Sequence, residues 1–299
     1  MWIVKNRIIF YIFSTILFAV SFYGIFTYGF NQSIDFRGGT ITEVKYTEAR
    51  LAQEDIESGI TKLGIGGFSV RPSGDTNYII RTRELTPAER ELVLGALGHP
   101  LTKLIIERQN TIGPVAGSEL KNKAMKAIVV VVLMIVLFVT FAFRGVSKPV
   151  SSWKYGLAVV IALIHDVVIP TGVFVFLGHY LGVEIDLLFV TGLLAILGYS
   201  VHDSIVVFDR VRENLRINQE NNTHEDFETL VGKSVNQTFA RSINTSLTIF
   251  ITLIALYIFG PAATKHFALL LTIGVIVGTY SSIFVASPLL VTFYKLQKK

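Results

Sequence analysis

The sequence contains no cysteine among its 299 residues, which excludes disulfide frameworks, cysteine zinc sites and thiol nucleophiles together. Charged residues are also scarce, at 16%, whereas hydrophobic residues make up 51% and the mean hydropathy is +0.55. Such a composition is typical of polytopic membrane proteins. The net charge of +5 comes from scattered basic residues rather than from a dense basic and aromatic stripe, so we expect no nucleic-acid partner.

Six apolar segments are each long enough to cross a hydrocarbon core of about 30 Å. They are Ile8–Phe26, Ala127–Phe143, Tyr155–Gly178, Ile185–Phe208, Ile243–Gly260 and Phe267–Phe293. The sequence therefore predicts a polytopic α-helical membrane protein with six transmembrane helices, one plus five, and an external α+β domain. We expect residues 1–30 to hold the first transmembrane helix, residues 31–123 the external domain and residues 124–299 the five-helix membrane domain.

Positive residues predict the orientation, because short cytoplasmic loops are enriched in lysine and arginine. One side of the predicted bundle carries Lys5, Arg7, Arg144, Lys148, Lys154, Arg210, Arg212, Arg216, Lys233, Lys295, Lys298 and Lys299. The short loops of the other side hold one basic residue of this kind, Lys265. We expect both termini to be cytoplasmic, together with a polar loop at about residues 210–234 that is part helix and part solvated turn.

The external stretch has the pattern of a small α+β domain. Its predicted elements are a strand at Thr40–Thr47, a helix at Glu48–Leu63, strands at Phe68–Arg71 and Tyr78–Arg83, a helix from Thr86 to about Gly98, and a strand at Leu101–Glu107. Thr86, Pro87 and Glu89 have the spacing of a helix start with a capping box. The order βαββαβ is that of the ferredoxin-like split unit.

Asp203 is a carboxylate near the inner end of the fourth apolar segment. An ionisable group in a membrane-spanning helix is costly unless it faces protein or water, and it usually marks an ion or proton path. The alternative is a carboxylate whose only role is to bind a donor on a neighbouring helix. His202 points about 100° away from Asp203 on the helix, so no direct relay between the two is implied.

The fifth segment begins with polar residues on one helical face. They are Gln237, Arg241, Asn244, Thr245, Thr248 and Thr252. Because the fourth and fifth segments run in opposite directions from the same loop, Arg241 and Asp203 lie at comparable depth, and we predict an ion pair between them. The alternative for Arg241 is an extended side chain that reaches the lipid headgroups.

Two further features concern the third and sixth segments. His165 and Asp166 lie near the middle of the third segment, and Pro170 follows four residues after Asp166. A proline there removes a helical hydrogen bond, which favours a kink and either a hydrated pocket or a structural His-Asp pair. In the sixth segment, small residues recur every four positions at Gly274, Gly278, Ser282 and Ala286, as in a helix-packing face.

Several motifs together resemble the SecD/SecF translocase family over nearly the whole chain. The matching residues are Asp35-Phe36-Arg37-Gly38-Gly39-Thr40, Gly198-Tyr199-Ser200 with Asp203, Val206 to Glu213, Ala240-Arg241-Ser242, and Gly278 to Phe284. The resemblance implies a non-enzymatic subunit of the resistance-nodulation-division superfamily in the bacterial cytoplasmic (inner) membrane. It also implies SecD, the SecYEG channel, YajC, unfolded preproteins and membrane lipid as partners.

The resemblance further implies residue roles. Proton or sodium flow would drive export, with no other cofactor and no metal site. The family's functional carboxylate and arginine correspond to Asp203 and Arg241, and Arg37 would be structural or conformational rather than catalytic. His165 and Asp166 are further ion-coupling candidates because of their position in the middle of the third segment. Three other functions stay open: a small-molecule or lipid exporter of the same superfamily, an intramembrane aspartyl protease using Asp166 and Asp203, and a purely structural assembly factor.

The predicted orientation is testable by single-cysteine labelling, since the chain has no cysteine of its own. A cysteine at Ser73 should react with an impermeant maleimide in intact cells, whereas one at Gln219 should react only after permeabilisation. The reverse pattern at either position would contradict the orientation.

Overall fold

A computed structural model describes residues 2–48, 50–98, 104–144, 150–223 and 225–298. By contacts the chain divides into two compact units, one of Met1–Asn31 with Lys126–Lys299 and one of Gln32–Met125. Lys148 and Lys299 of the orientation argument, and Leu101 of the last predicted strand, lie outside the described residues.

In the sequence, one small sheet domain lies between the first long helix and the other long helices. In chain order the elements are α1 (Trp2–Lys5), α2 (Arg7–Tyr28), α3 (Ile34–Arg37), β1 (Gly39–Tyr46), α4 (Gln53–Lys62), β2 (Ser69–Ser73), β3 (Asn77–Thr82), α5 (Pro87–Ala96), β4 (Leu104–Ile112), α6 (Pro114–Ala142), α7 (Ser152–Leu181), α8 (Leu187–Glu220), α9 (Phe227–Phe259), α10 (Ala262–Ser281), a π-helix (Ser282–Ala286) and α11 (Ser287–Lys298).

Within the described residues, six helices are long and apolar enough to cross a membrane. They are α2, α6, α7, α8, α9 and a last span at Thr264–Gln297, which comprises α10, the π-helix and α11. α7, α8 and the last span are the most buried of the six, whereas few residues of α2, α6 and α9 are buried. The predicted class, a helical membrane protein with a sheet domain, is confirmed.

Helix extends through most of the predicted loop at residues 210–234. α8 continues to Glu220, and α9 begins at Phe227 after Asp226, whose side chain accepts a hydrogen bond from the Glu228 amide at 3.1 Å. Most apolar residues of these extensions are buried, namely Val211, Leu215, Phe227, Leu230 and Val231, whereas Ile217 is exposed. Among the described residues, those outside the two helices are 221–223 and 225–226, because most apolar residues among the polar ones pack against the bundle.

The Gln32–Met125 unit has the predicted order βαββαβ and a four-stranded antiparallel sheet in the order β2-β3-β1-β4. This is the ferredoxin-like arrangement, and it confirms the predicted sheet domain. β4 runs to Ile112, further than predicted, because β1 pairs along its whole length and Gly39 is opposite Ile112. α4 begins at Gln53 rather than Glu48.

Both helices cover one face of this sheet. Their core comprises Val44, Tyr46, Ile56, Ile60, Val70, Tyr78, Ile80, Val93, Leu94 and Leu97, with other apolar residues around it. Tyr46 donates from its hydroxyl to the Leu97 carbonyl at 2.8 Å, and burial raises the pKa of Tyr46 to about 12. The domain thus has its own hydrophobic core without any disulfide.

The predicted capping box at the start of α5 is confirmed. The Glu89 amide donates to Thr86 Oγ1 at 3.3 Å, and the Thr86 amide donates to Glu89 Oε2 at 2.9 Å. Arg83 also donates to the Glu89 carboxylate, with Nη2 at 2.5 Å from Oε1. The hydrogen bonds from Arg83 and from Thr86 lower the pKa of Glu89 to about 2.

This lowered pKa predicts a pH-dependent contribution to the stability of residues 33–120 expressed alone. Because the folded pKa lies below the ordinary value of 4.5, the contribution is present above about pH 4.5 and is lost as the pH falls to about 2. Glu89→Gln should lower the free energy of unfolding at neutral pH and converge with wild type in acid. Glu91→Gln, at an exposed position on the same helix, is the control. Equal free energies of unfolding for the Glu89→Gln variant and wild type at every pH would contradict the stabilising role of the Glu89 carboxylate.

Candidate functional site

The signature residues 35–40 form a turn that leads into β1. Ser33 caps α3 by accepting a hydrogen bond from the Asp35 amide at 3.1 Å, Phe36 is buried, and Arg37 is exposed. Thr40 is buried and shares a hydroxyl hydrogen bond of 3.0 Å with Thr111 on β4. The motif therefore joins the start of the sheet domain to its last strand.

Its two glycines are required by close backbone contacts. Gly38 has φ +77° and Gly39 has φ +133°, a range that favours glycine. A Cβ on Gly39 would lie 2.5 Å from the Thr82 carbonyl oxygen, and one on Gly38 would lie 2.8 Å from Pro114 Cα. On α6, a Cβ on Gly117 would in turn lie 2.8 Å from the Gly38 amide nitrogen. The geometry of the motif is that of a packing junction rather than of a ligand site.

Asp203 lies inside the membrane bundle and is 6% exposed. Its Oδ1 accepts a hydrogen bond from Ser242 of α9 at 2.7 Å, and its Oδ2 accepts one from Ser282 of the π-helix at 2.5 Å. One carboxylate on α8 thus binds the fifth and sixth spans at once. Its neighbour His202 is exposed, as the 100° separation predicts.

The predicted Asp203–Arg241 ion pair is wrong for this structure. No ion pair between the two is found in the described part of the chain, and Arg241 lies on an exposed face of α9. The adjacent Ser242 is the residue that faces Asp203, because successive side chains on a helix point about 100° apart. Depth alone places Arg241 at the right height but does not define its direction around the helix axis.

The polar face of α9 is also exposed. Gln237 accepts a hydrogen bond from Asn214 of α8 at 2.9 Å. Gln237 is exposed as well, and the remaining five members, Arg241, Asn244, Thr245, Thr248 and Thr252, are exposed in the chain by itself. We call these five residues the α9 polar face.

Asp166 on α7 is fully buried and has three side-chain partners. Its Oδ1 is 2.9 Å from His165 Nδ1, and its Oδ2 accepts hydrogen bonds from Ser200 of α8 and from Ser281 of α10, the latter at 2.6 Å. The four residues His165, Asp166, Ser200 and Ser281 are all at most 5% exposed. The predicted His-Asp pair is thus present, and it belongs to a larger polar cluster.

His165 also borders a groove of about 330 Å³. The groove lies between α2, α7 and the last span, and Tyr11, Ser14, Thr15 and Ile164 are among its lining residues. The buried His165 Nε2 has no hydrogen-bond partner among the described residues. α7 continues through the buried Pro170, and the predicted kink there stays a prediction.

Four serines at this site were missed by the sequence reasoning: Ser200, Ser242, Ser281 and Ser282. Serine is common in close-packed membrane helices, so its presence alone carries little signal. All four nevertheless lie within motifs already singled out: Ser200 follows Tyr199, Ser242 follows Arg241, and Ser281 and Ser282 fall between Gly278 and Phe284. The row of small residues in the sixth segment does pack closely, since a Cβ on Gly274 would lie 2.2 Å from Ile196 Cγ1.

Sequence comparison identifies two family models in the chain. The model described as "Protein export membrane protein SecD/SecF, C-terminal" matches residues 96–296, and the model described as "SecD/SecF GG Motif" matches residues 23–49. The second range contains the signature turn, and the first contains Asp166, Asp203 and Arg241.

Individual relatives agree with the family models. The chain is 39% identical to a protein translocase subunit SecF of Thermobaculum terrenum, over 97% of this chain and 93% of the relative. It is 34% identical to a protein translocase subunit SecDF of Thermus thermophilus, over 95% of this chain but 37% of the relative. The crystal structure of SecDF, a translocon-associated membrane protein from Thermus thermophilus, superimposes with a TM-score of 0.84 at 32% identity, covering 99% of this chain and 38% of that one.

The packing role of the signature glycines is testable by substitution. Gly39→Ala adds both an unfavourable φ and a Cβ contact of 2.5 Å, so it should prevent normal folding of the sheet domain. Gly74→Ala is the matched control, because Gly74 also has positive φ, +68°, but no atom within 4 Å of the added Cβ. Gly74→Ala should lower the free energy of unfolding by about 1–2 kcal/mol. Equal thermal stability of the two variants would contradict the packing role.

Proposed function

The chain belongs to the SecD/SecF family of protein export membrane proteins, and we propose that it uses a proton or sodium gradient to assist preprotein translocation. In this proposal the chain lies in the bacterial cytoplasmic membrane with both termini inside and the sheet domain outside. It has no enzymatic activity, and its cofactor is the coupling ion alone.

The observation that carries the proposal is the buried Asp203 carboxylate, which accepts hydrogen bonds from two other spans. A charged carboxylate in a hydrocarbon-spanning bundle is costly, and hydroxyl donors favour its charged form. Binding of a proton or sodium ion neutralises the carboxylate and weakens its attraction for the Ser242 and Ser282 hydroxyls. The contact between α8, α9 and the π-helix is then the two-state element that ion binding biases.

His165 and Asp166 provide a second group on the same route. Asp166 is connected to α8 and α10 through hydroxyls, and His165 borders the groove beside α2. An imidazole between a groove and a buried carboxylate is suited to pass protons. We propose that it supplies Asp166 from the groove side.

The α9 polar face supports an assignment of the SecD partner. A helix surface with an arginine and several hydroxyl and amide groups is unfavourable against lipid tails. The SecDF relative carries additional polypeptide, since this chain covers 37% of its length. We propose that SecD covers the α9 polar face, with SecYEG, YajC and the unfolded preprotein as further partners and lipid around the remaining apolar surface.

The role of Asp203 is testable by an isosteric substitution. Asp203→Asn keeps the shape but cannot release a proton, so the increase in export that an imposed gradient causes in membrane vesicles should disappear, while ATP-driven export should remain. Asp209→Asn is the control on the same helix, because its exposed carboxylate pairs with Arg212 at 2.5 Å. Wild-type stimulation by the gradient in the Asp203→Asn variant would show that Asp203 does not couple ions.

The role of Arg241 is testable by co-purification with SecD. Arg241 is exposed and its nearest polar neighbours on α9 are turned outward, so Arg241→Met should leave the chain folded but reduce the amount of SecD that co-purifies. Arg216→Met is the control, since Arg216 is exposed and pairs with Glu220, four residues away on the same helix, at 2.7 Å. Undiminished recovery of SecD with the Arg241→Met variant would rule out the α9 polar face as its binding surface.

A further inference from the structure

Two consecutive serines bind the two buried carboxylates of the bundle. Ser281, the last residue of α10, donates to Asp166 Oδ2 at 2.6 Å. Ser282, the first residue of the π-helix, donates to Asp203 Oδ2 at 2.5 Å. Both serines are 0% exposed. Each hydroxyl also lies within hydrogen-bond distance of a carbonyl of the preceding turn, Ser281 at 3.1 Å from the Gly278 oxygen and Ser282 at 3.0 Å from the Thr279 oxygen.

Their spacing makes the two contacts interdependent. Adjacent side chains on a helix point about 100° apart, so one serine can face α7 while the next faces α8. A rotation or shift that improves the contact of one serine moves the other by the same rigid displacement. A movement of the helix backbone at one contact therefore also disturbs the other.

The backbone changes type at this very position. α10 ends at Ser281 and the π-helix begins at Ser282. The Ser282 carbonyl accepts from the Ser287 amide, as the wider π turn requires, and also from the Ser287 hydroxyl at 2.7 Å. π-helical turns inside longer helices are rare and occur frequently at functional sites.

The carboxylates are connected on α8 as well. Ser200, which donates to Asp166, precedes Asp203 by three residues on the same helix face. Among the described residues, the one other titratable group bound to either carboxylate is His165. The side-chain partners of the two carboxylates, among the described residues, are therefore serine hydroxyls and the His165 imidazole.

We propose that the Ser281–Ser282 pair couples ion binding at Asp203 to ion binding at Asp166. In this arrangement, neutralisation of one carboxylate releases one serine, and the resulting displacement of the π-helix junction changes the hydrogen bond at the other. The two carboxylates then bind ions as one coupled unit. The inference deepens the proposed function and rests on it for the identity of the ions.

The test is infrared spectroscopy of the full chain reconstituted in lipid vesicles. The carboxyl C=O band of Asp166, assigned by its loss in Asp166→Asn, is followed against pH. Asp203→Asn should shift the titration midpoint of Asp166 by about one pH unit or more, as for interacting sites. The shift should be lost when Ser281→Ala and Ser282→Ala are added, and kept when both serines are replaced by threonine, which retains the hydroxyl.

A matched control is Thr272→Ala, which removes a buried hydroxyl of α10 that donates to the Ala268 carbonyl of its own helix at 2.7 Å. The shift should survive this change. The proposal is overturned if Asp203→Asn leaves the Asp166 midpoint unchanged, or if the shift persists without the two serines, as direct repulsion between the carboxylates would produce. The infrared test measures no export, so its outcome is separate from that of the export test. If Asp203→Asn exports normally under a gradient but still shifts the Asp166 midpoint, the proposed function is refuted and this inference remains intact.

Discussion

A buried carboxylate in a membrane bundle needs donors, and this need explains the arrangement of the inner helices. Asp166 and Asp203 each accept hydrogen bonds from hydroxyls on two other elements. Without those donors each ionised group would carry a desolvation cost that the bundle cannot balance. The relative positions of α7, α8, α9 and the last span are thus constrained by four serine hydroxyls.

Serine side chains are short, so they reach a neighbouring helix only where the backbones approach closely. Small residues provide that approach. A Cβ on Gly274 would lie 2.2 Å from Ile196, one on Gly192 would lie 2.7 Å from Leu270, and one on Gly172 would lie 2.3 Å from Ser21. The glycines therefore allow the helices to pack closely, and the close packing allows the serine hydroxyls to reach the carboxylates.

Features with a local physical signal were predictable from the sequence. The six spans follow from long apolar runs, and the start of α5 follows from Thr86, Pro87 and Glu89, whose capping box is present. The intramembrane carboxylates Asp166 and Asp203 were also found, because charge is rare in such segments. Family membership agreed with the motifs that the sequence analysis singled out.

Features that depend on how helices rotate and pack were not predictable. The ion pair with Arg241 was predicted from depth, but the direction around the α9 axis brings Ser242 to Asp203 instead. Ser281 and Ser282 lie where α10 passes into the π-helix, and the carboxylate that each serine reaches depends on how the last span packs against α7 and α8. The extension of α8 to Glu220 and the start of α9 at Phe227 depend on tertiary burial of residues such as Val211 and Leu230, whose polar neighbours in the sequence suggest a loop.

The central claim is that neutralising Asp203 loosens α8 from the helices it binds. The chain has no cysteine, so spin labels can be attached at introduced cysteines at Gln219 on α8 and Leu296 on α11, both exposed positions. Pulsed electron spin resonance then compares their distance distribution in wild type and in Asp203→Asn. The account predicts a longer or broader distribution in the variant, and superimposable distributions would contradict it.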